Sequence, residues 1–368
     1  MVEPCTPLAG RRSGAAWALL SFGIYGLGIA LSGGMVSGFL QVALRIHYGG
    51  FGFIKRGLIG SIAQPLLGPA PAYPTLIQAG LLYGLLIGAL LSLAFGSLLA
   101  ASRQPSSRLL FLVSPAALLQ LGYTFSWYDG ACTLLFLLQL LLLRSRRAWL
   151  QRLLAPLLAL LAAAAILVHE LYLLAFLPLL IWQAWPRLNR PGRGLLLLVV
   201  LLSTGALLWQ GSYEPGPAEL AARLGLDLAH APLEFTSSLA TNLSSVVKGL
   251  WLGGYWRGSV PALLYLAVLL GLARRAGSQL PPLLLALSPL LLGLIGVDLP
   301  RWCALAATNL LLLGLLGAIR FRKPGTRPWH WLALPFVLAG PIGVFGYSFP
   351  LVTPGLSQAL KALPQVLR

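Results

Sequence analysis

The stretch Leu153–Trp185, LLAPLLALLAAAAILVHELYLLAFLPLLIWQAW, decides how this chain folds. It is almost wholly apolar, with His169 and Glu170 at its centre. As one helix it would run about 50 Å at 1.5 Å per residue, far beyond a hydrocarbon core of about 30 Å. Every later loop would then change side, and Arg187, Arg190 and Arg193 would face outward against the positive-inside bias. A tight helical hairpin is the better reading. It places His169 and Glu170 at an outer tip, in or just under the headgroup layer.

The rest of the chain agrees. Of 368 residues, 58% are hydrophobic and only 9% are charged, where a soluble protein carries about 25% charged residues. The expected fold is all-α: a polytopic transmembrane helix bundle of about eleven spans, each needing roughly 17 to 25 residues. Residues 1–368 form a single integral-membrane domain. The apolar runs fall near 14–33, 76–100, 109–125, 127–143, 153–168, 171–186, 194–210, 259–273, 281–296, 302–319 and 329–347. With the N-terminus in the cytoplasm, 17 of the 26 Lys and Arg residues lie on the inside and the short inner loops contain no acid. The C-terminus is then outside. Within the second run Gly80, Gly84, Gly88, Ser92 and Gly96 recur at i+4, a stripe that lets a neighbouring helix approach closely.

The net charge of +18 is not a nucleic-acid signature, because the arginines punctuate apolar runs rather than line one face. Cys5, Cys132 and Cys303 are too scattered for a metal or redox motif. The four histidines make no HExxH, and GxSxG and P-loop sequences are absent. No metal and no cofactor are expected.

Two outer segments are too long to be turns. Residues 34–75 carry Arg45, His47, Lys55 and Arg56 but no acid, so Arg56 is expected to have no acidic partner. Gly49-Gly50-Phe51-Gly52-Phe53-Ile54-Lys55-Arg56-Gly57 joins a Gly-rich turn, whose amides could approach an anion, to two bases suited to phosphate. Residues 211–258 carry Glu219, Arg223 and Asp227 at i+4 beside Leu220, Leu224 and Leu228. That pattern predicts a membrane-lying helix with a charge ladder on its wet face. Trp251, Tyr255 and Trp256 close this loop as an interfacial belt.

Eight acids exist, and three adjoin apolar runs at their outer ends: Asp129, Glu170 and Asp298. Ionisable groups at that depth are costly and mark sites. Each has a companion. Asp129 ends the aromatic stretch Tyr123–Asp129, suited to stacking on a sugar or lying in the interface, Glu170 follows His169, and Asp298 precedes Arg301 by three residues. The bland alternatives are an N-cap for Asp129, a tight turn at His169-Glu170 and mutual neutralisation of Asp298 and Arg301.

In layout, though in no diagnostic motif, the whole chain resembles the GT-C class of integral-membrane glycosyltransferases and the related polysaccharide polymerases. The resemblance implies an outward site that takes sugar from a polyprenyl phosphate carrier. Many members place a catalytic acid in the first outer loop; residues 34–75 have none. By this reading Lys55 and Arg56, with Arg45 and Arg301, hold carrier phosphate, and Asp129, Glu170 or Asp298 is the base, with His169 as alternative. The partners are membrane lipid and a polyprenyl-phosphate-linked sugar, not nucleic acid, in a bacterial inner membrane. A transporter or flippase of an anionic lipid-linked substrate is the competing function, and a structural membrane subunit the third.

Overall fold

A computed structural model describes residues 11–68, 71–226, 235–236, 239–252 and 259–321. Among them every regular element is helical. In chain order the helices are α1 (Arg11–Leu31), α2 (Gly38–Ala43), α3 (Tyr48–Phe51), α4 (Gly57–Leu67), α5 (Tyr73–Ala101) and α6 (Pro105–Val113). There follow α7 (Gln120–Tyr123), α8 (Asp129–Arg144), α9 (Ala148–Arg152), α10 (Leu154–Val168), α11 (Tyr172–Ala175) and α12 (Leu177–Ala184). The last are α13 (Arg190–Gln210), α14 (Gly216–Leu224), α15 (Leu239–Ser245), α16 (Val260–Arg275), α17 (Leu280–Ala286) and α18 (Leu299–Leu315). The run at 329–347, the C-terminus, and Asp227, Leu228, Tyr255 and Trp256 lie outside the described residues.

Among the described residues three helices are long and apolar enough to cross a membrane: Ser13–Leu31 within α1, all of α5, and α13. On α5 and α13 the side chains of Leu82, Leu86, Leu198, Leu201 and Leu202 are exposed. Contiguous apolar surface of this kind suits a lipid solvent and not water. Other expected spans are interrupted, and proline explains several breaks, since it removes a backbone donor. The run 109–125 divides at Ser114-Pro115 into α6, a π-helical turn (Pro115–Leu119) and α7. The run 171–186 divides at Phe176, with Pro178 opening α12, and the run 281–296 turns 3-10 over Ser288–Leu294, with Pro289 in its first turn.

The chain separates into two compact units. The first is drawn from Met1–Met35, Gly88–Phe125 and Leu243–Arg368. Its centre is α18, buried on all sides, against α16, α6 and the π turn. The turn distorts at Ala117 (φ −99°, ψ −106°), and the neighbouring Ala116 carbonyl accepts from Thr308 Oγ1 at 2.8 Å. The Gly stripe has its expected use here: a Cβ on Gly88 would overlap the Tyr25 ring, and one on Gly96 would press on Ala18.

The second unit is drawn from Val36–Ile87 and Ser126–Asn242. Cys132 Sγ faces the Ala165 carbonyl and Gln139 Nε2 donates to the Leu158 carbonyl, so α8 and α10 are antiparallel. Phe176 stacks on Phe136, and Arg187 donates to the Leu143 carbonyl. Residues 172–187 therefore return toward the end from which α10 set out, and the chain reverses at His169-Glu170. One end of this unit collects Arg144, Arg147, Arg152, Arg187 and Arg190. The other carries Asp129, His169, Glu170 and the loop before α4.

Candidate functional site

Arg56 organises the acidic end of the second unit. It is the only non-glycine with positive φ (65°) among the described residues, in the left-handed region. That conformation costs roughly 1 kcal/mol or more and persists only where its surroundings enforce it. Two neighbours do so. The Lys55 amide donates to the Gly211 carbonyl at 2.8 Å, and Gly57 packs so closely on the Tyr48 ring that a Cβ would meet it at 2.8 Å.

The guanidinium so aimed makes a forked ion pair with Glu170. Nε donates to Oε2 at 3.0 Å, and Nη2 donates to Oε1. The side chains are 12% and 24% exposed. The Arg56 Cζ lies 5.6 Å from the Phe39 ring centre and 6.0 Å from that of Phe235. Phe39 also stacks on Trp127 at 5.5 Å and meets Tyr128 edge-on at 5.0 Å. The aromatic stretch before Asp129 thus helps enclose the cation.

Glu170 owes its position to the reversal. After Val168 the backbone goes extended at His169 and turns. His169 Nδ1 lies 3.3 Å from Glu170 Oε2 and also accepts the Leu171 amide at 3.1 Å. One lone pair serves one partner, so ring protonation decides which contact is a hydrogen bond. Burial disfavours the Glu170 charge, but Arg56 and His169 outweigh it and hold the carboxyl well below the usual carboxylate range.

Two tyrosines complete the surroundings. Tyr128 is fully buried, edge-on to Phe39 at 5.0 Å and to His169 at 6.1 Å. The hydroxyls of Tyr128 and Tyr48 are buried without a hydrogen-bond partner among the described residues. Such a group costs about 1 to 3 kcal/mol.

The expected site residues are placed as follows. Arg56, Glu170 and His169 come together. Arg56 has the acidic partner that its own segment lacks, supplied from 114 residues away. Lys55 is buried beside Arg56 in the chain. Asp129 is buried in the first turn of α8, where the helix dipole favours a carboxylate. Arg45 donates to the Leu224 carbonyl at the C-terminal end of α14, which gives it a capping role. Asp298 and Arg301 belong to the other unit, where they pair at 3.6 Å at the start of α18.

Two local expectations change. In the Gly-rich segment most of the amides that could approach an anion are engaged. Residues 48–51 form a helical turn capped by His47 Nδ1, and the amides of Gly50, Phe51, Gly52, Lys55 and Gly57 are all used internally. Helix α14 buries Leu220, Ala221 and Leu224 against protein. Its Arg223 turns to Tyr213 Oη (3.0 Å) and the Gly50 carbonyl (2.9 Å), not to a surface ladder.

Sequence reading missed Phe39 and Phe235. Neither stands in a motif, and only the fold brings them to Arg56. No group of three or more His, Cys, Asp or Glu residues suited to a metal occurs among the described residues. The chain matches no family model, no curated protein and no solved structure.

Proposed function

We propose that this chain is a multi-pass membrane glycosyltransferase or polysaccharide polymerase acting on a polyprenyl-phosphate-linked sugar. The proposed topology is about eleven crossings, with the N-terminus inside and the site at the outer face of a bacterial inner membrane. The observation that carries the reading is the partly buried Arg56–Glu170 pair in its aromatic surround. It joins a phosphate-type fork, a carboxylate, an imidazole and sugar-stacking rings within one unit.

The acceptor hydroxyl oxygen bonds to the anomeric carbon as the bond from that carbon to the carrier phosphate breaks. The hydroxyl proton passes to Glu170, with His169 beside it. The electron pair leaves on the phosphate, whose charge Arg56 and Lys55 stabilise. Trp127, half-buried and stacked on Phe39, offers a face for a sugar ring.

The test is product formation by the full chain in nanodiscs supplied with a polyprenyl-diphosphate sugar. Wild type should lengthen or transfer the glycan, and Glu170→Gln should reduce turnover by about 100-fold or more, as loss of a general base does. Movement of the lipid-linked sugar across proteoliposomes with no new glycosidic bond would establish the transporter instead.

A further inference from the structure

We propose that the Arg56–Glu170 pair is a displaceable latch. A phosphate group of the incoming ligand takes the place of Glu170 on the guanidinium, and the released carboxylate becomes the proton acceptor. This rests on the functional reading above and adds the order of events to it.

Paired, each group blocks the other. The carboxylate occupies the fork that would hold phosphate, and the guanidinium occupies both carboxylate oxygens that would take a proton. A phosphate fits the same fork with equal geometry and more charge. Neither partner is stranded by the exchange. Arg56 is held by its left-handed backbone and by Phe39 and Phe235 as well as by the acid. Glu170 keeps His169, whose Nδ1 is already 3.3 Å from Oε2. A ring that takes up a proton can release the Leu171 amide and donate to the freed carboxylate.

The spare hydroxyls point to a ligand independently of the ion pair. Tyr128 is fully buried, carries a donor without a partner among the described residues, and packs edge-on against Phe39, the ring under Arg56, at 5.0 Å and against His169 at 6.1 Å. Tyr48 adds a second such hydroxyl, on a ring packed against Gly57, the residue after Arg56. Phosphate oxygens left over after the fork is filled are suitable acceptors for both. A site whose only purpose was the ion pair would have no use for them.

The latch has a quantitative signature. An internal competitor lowers apparent affinity by the fraction of time it occupies the fork. Glu170→Gln removes the competing charge and keeps the shape. It should therefore bind phosphate more tightly than wild type, although it cannot act as base.

The experiment measures binding to the full chain in phosphatidylcholine nanodiscs, using a fluorescent polyprenyl monophosphate as one probe and inorganic pyrophosphate as the other. Glu170→Gln should bind both about tenfold tighter than wild type, the tax for a latch closed nine-tenths of the time. Arg56→Lys, which keeps the charge and loses the fork, should bind about tenfold more weakly. Tyr128→Phe should weaken binding by about three- to tenfold, the worth of one hydrogen bond, with no loss of melting temperature. Discs of phosphatidylglycerol separate the sources of phosphate. Competition there assigns the exchange to a bulk lipid headgroup, and its absence assigns it to the carrier; the exchange stands in either case. If Glu170→Gln binds no tighter than wild type while melting normally, the latch is overturned. If the tenfold ratio holds but wild type makes no glycan, the latch stands and glycosyl transfer falls.

Discussion

The described residues contain two arginine–carboxylate pairs, one in each unit, and they are built differently. Asp298 and Arg301 are three residues apart at the start of α18, 3.6 Å from each other, with the guanidinium over the adjacent Trp302 ring. Any helix that begins at Asp298 brings these side chains near each other, because positions i and i+3 share a face. Arg56 and Glu170 are 114 residues apart and meet as a fork. Their meeting needs a left-handed backbone at Arg56, a chain reversal at Glu170, and two aromatic rings from elsewhere. A local pair is a by-product of helix geometry. A long-range pair maintained at the cost of backbone strain indicates a site.

The largest effect that tests this contrast is on turnover. Arg56→Ala should abolish product formation and also destabilise the fold by about 2 kcal/mol, below the 3–5 kcal/mol of a fully buried pair. Glu170 is 24% exposed and retains His169, which is why the loss is the smaller one. A double-mutant cycle with Glu170→Ala should return a coupling of about 2 kcal/mol. Coupling near zero would place the pair with the exposed ion pairs that contribute little.

The local pair should behave in the opposite sense. Asp298→Asn leaves Arg301 buried without its counter-charge and should cost about 1 to 3 kcal/mol of stability. Replacing both residues with apolar side chains should recover most of it, since no charge is then left desolvated. Product formed per folded molecule should be unchanged throughout. Loss of turnover in a well-folded Asp298→Asn protein would move the active site toward α18 and undo the comparison.

The two pairs also differ in how far the sequence announces them. Asp298 and Arg301 are visible as a pair because their proximity is a matter of helical spacing. The reversal at His169-Glu170 is legible too, since a single apolar helix through that stretch is too long and would misplace three arginines. The helices α1, α5 and α13 follow from uninterrupted apolar runs. The breaks at Ser114-Pro115 and Phe176 could be anticipated from proline, whereas the π turn could not, because it depends on Thr308 reaching the Ala116 carbonyl. The partner of Arg56 was illegible for the same reason. Residues 34–75 contain no acid, and nothing in them points to residue 170. Phe39 and Phe235 are ordinary apolar residues until the fold aligns them.

A smaller effect distinguishes the site by pH. The Glu170 carboxyl lies well below its ordinary value of 4.5 in the folded protein, burial being outweighed by Arg56 and then His169. A depressed acid contributes its full stabilisation above the unfolded value and loses it as pH falls through the folded one. The stability difference between wild type and Glu170→Gln, measured by denaturation in nanodiscs, should hold steady from neutral pH to about 5 and shrink below 4.5. A difference that shrinks already near pH 6 would mean that Arg56 does not hold the carboxylate.

The smallest expected effect concerns two buried tyrosines of the second unit. Tyr172 donates its hydroxyl to Gln139 Oε1, and Gln139 in turn bonds the Leu158 carbonyl, tying the returning strand of the hairpin to α8 and α10. Tyr172→Phe leaves the Gln139 oxygen buried and unmatched, which should cost about 1 to 2 kcal/mol. Tyr128 has no such bond in the second unit. Tyr128→Phe removes a desolvated hydroxyl that nothing satisfies, so stability should be unchanged or rise by up to about 1 kcal/mol. Product formation should move the other way, falling for Tyr128→Phe and surviving in folded Tyr172→Phe. The pattern follows from the role given to each hydroxyl: one closes a structural bond between helices, and the other is the donor that the proposed latch assigns to a ligand oxygen. Equal loss of stability in both variants would show that the Tyr128 hydroxyl is structural, and the site would lose its spare donor.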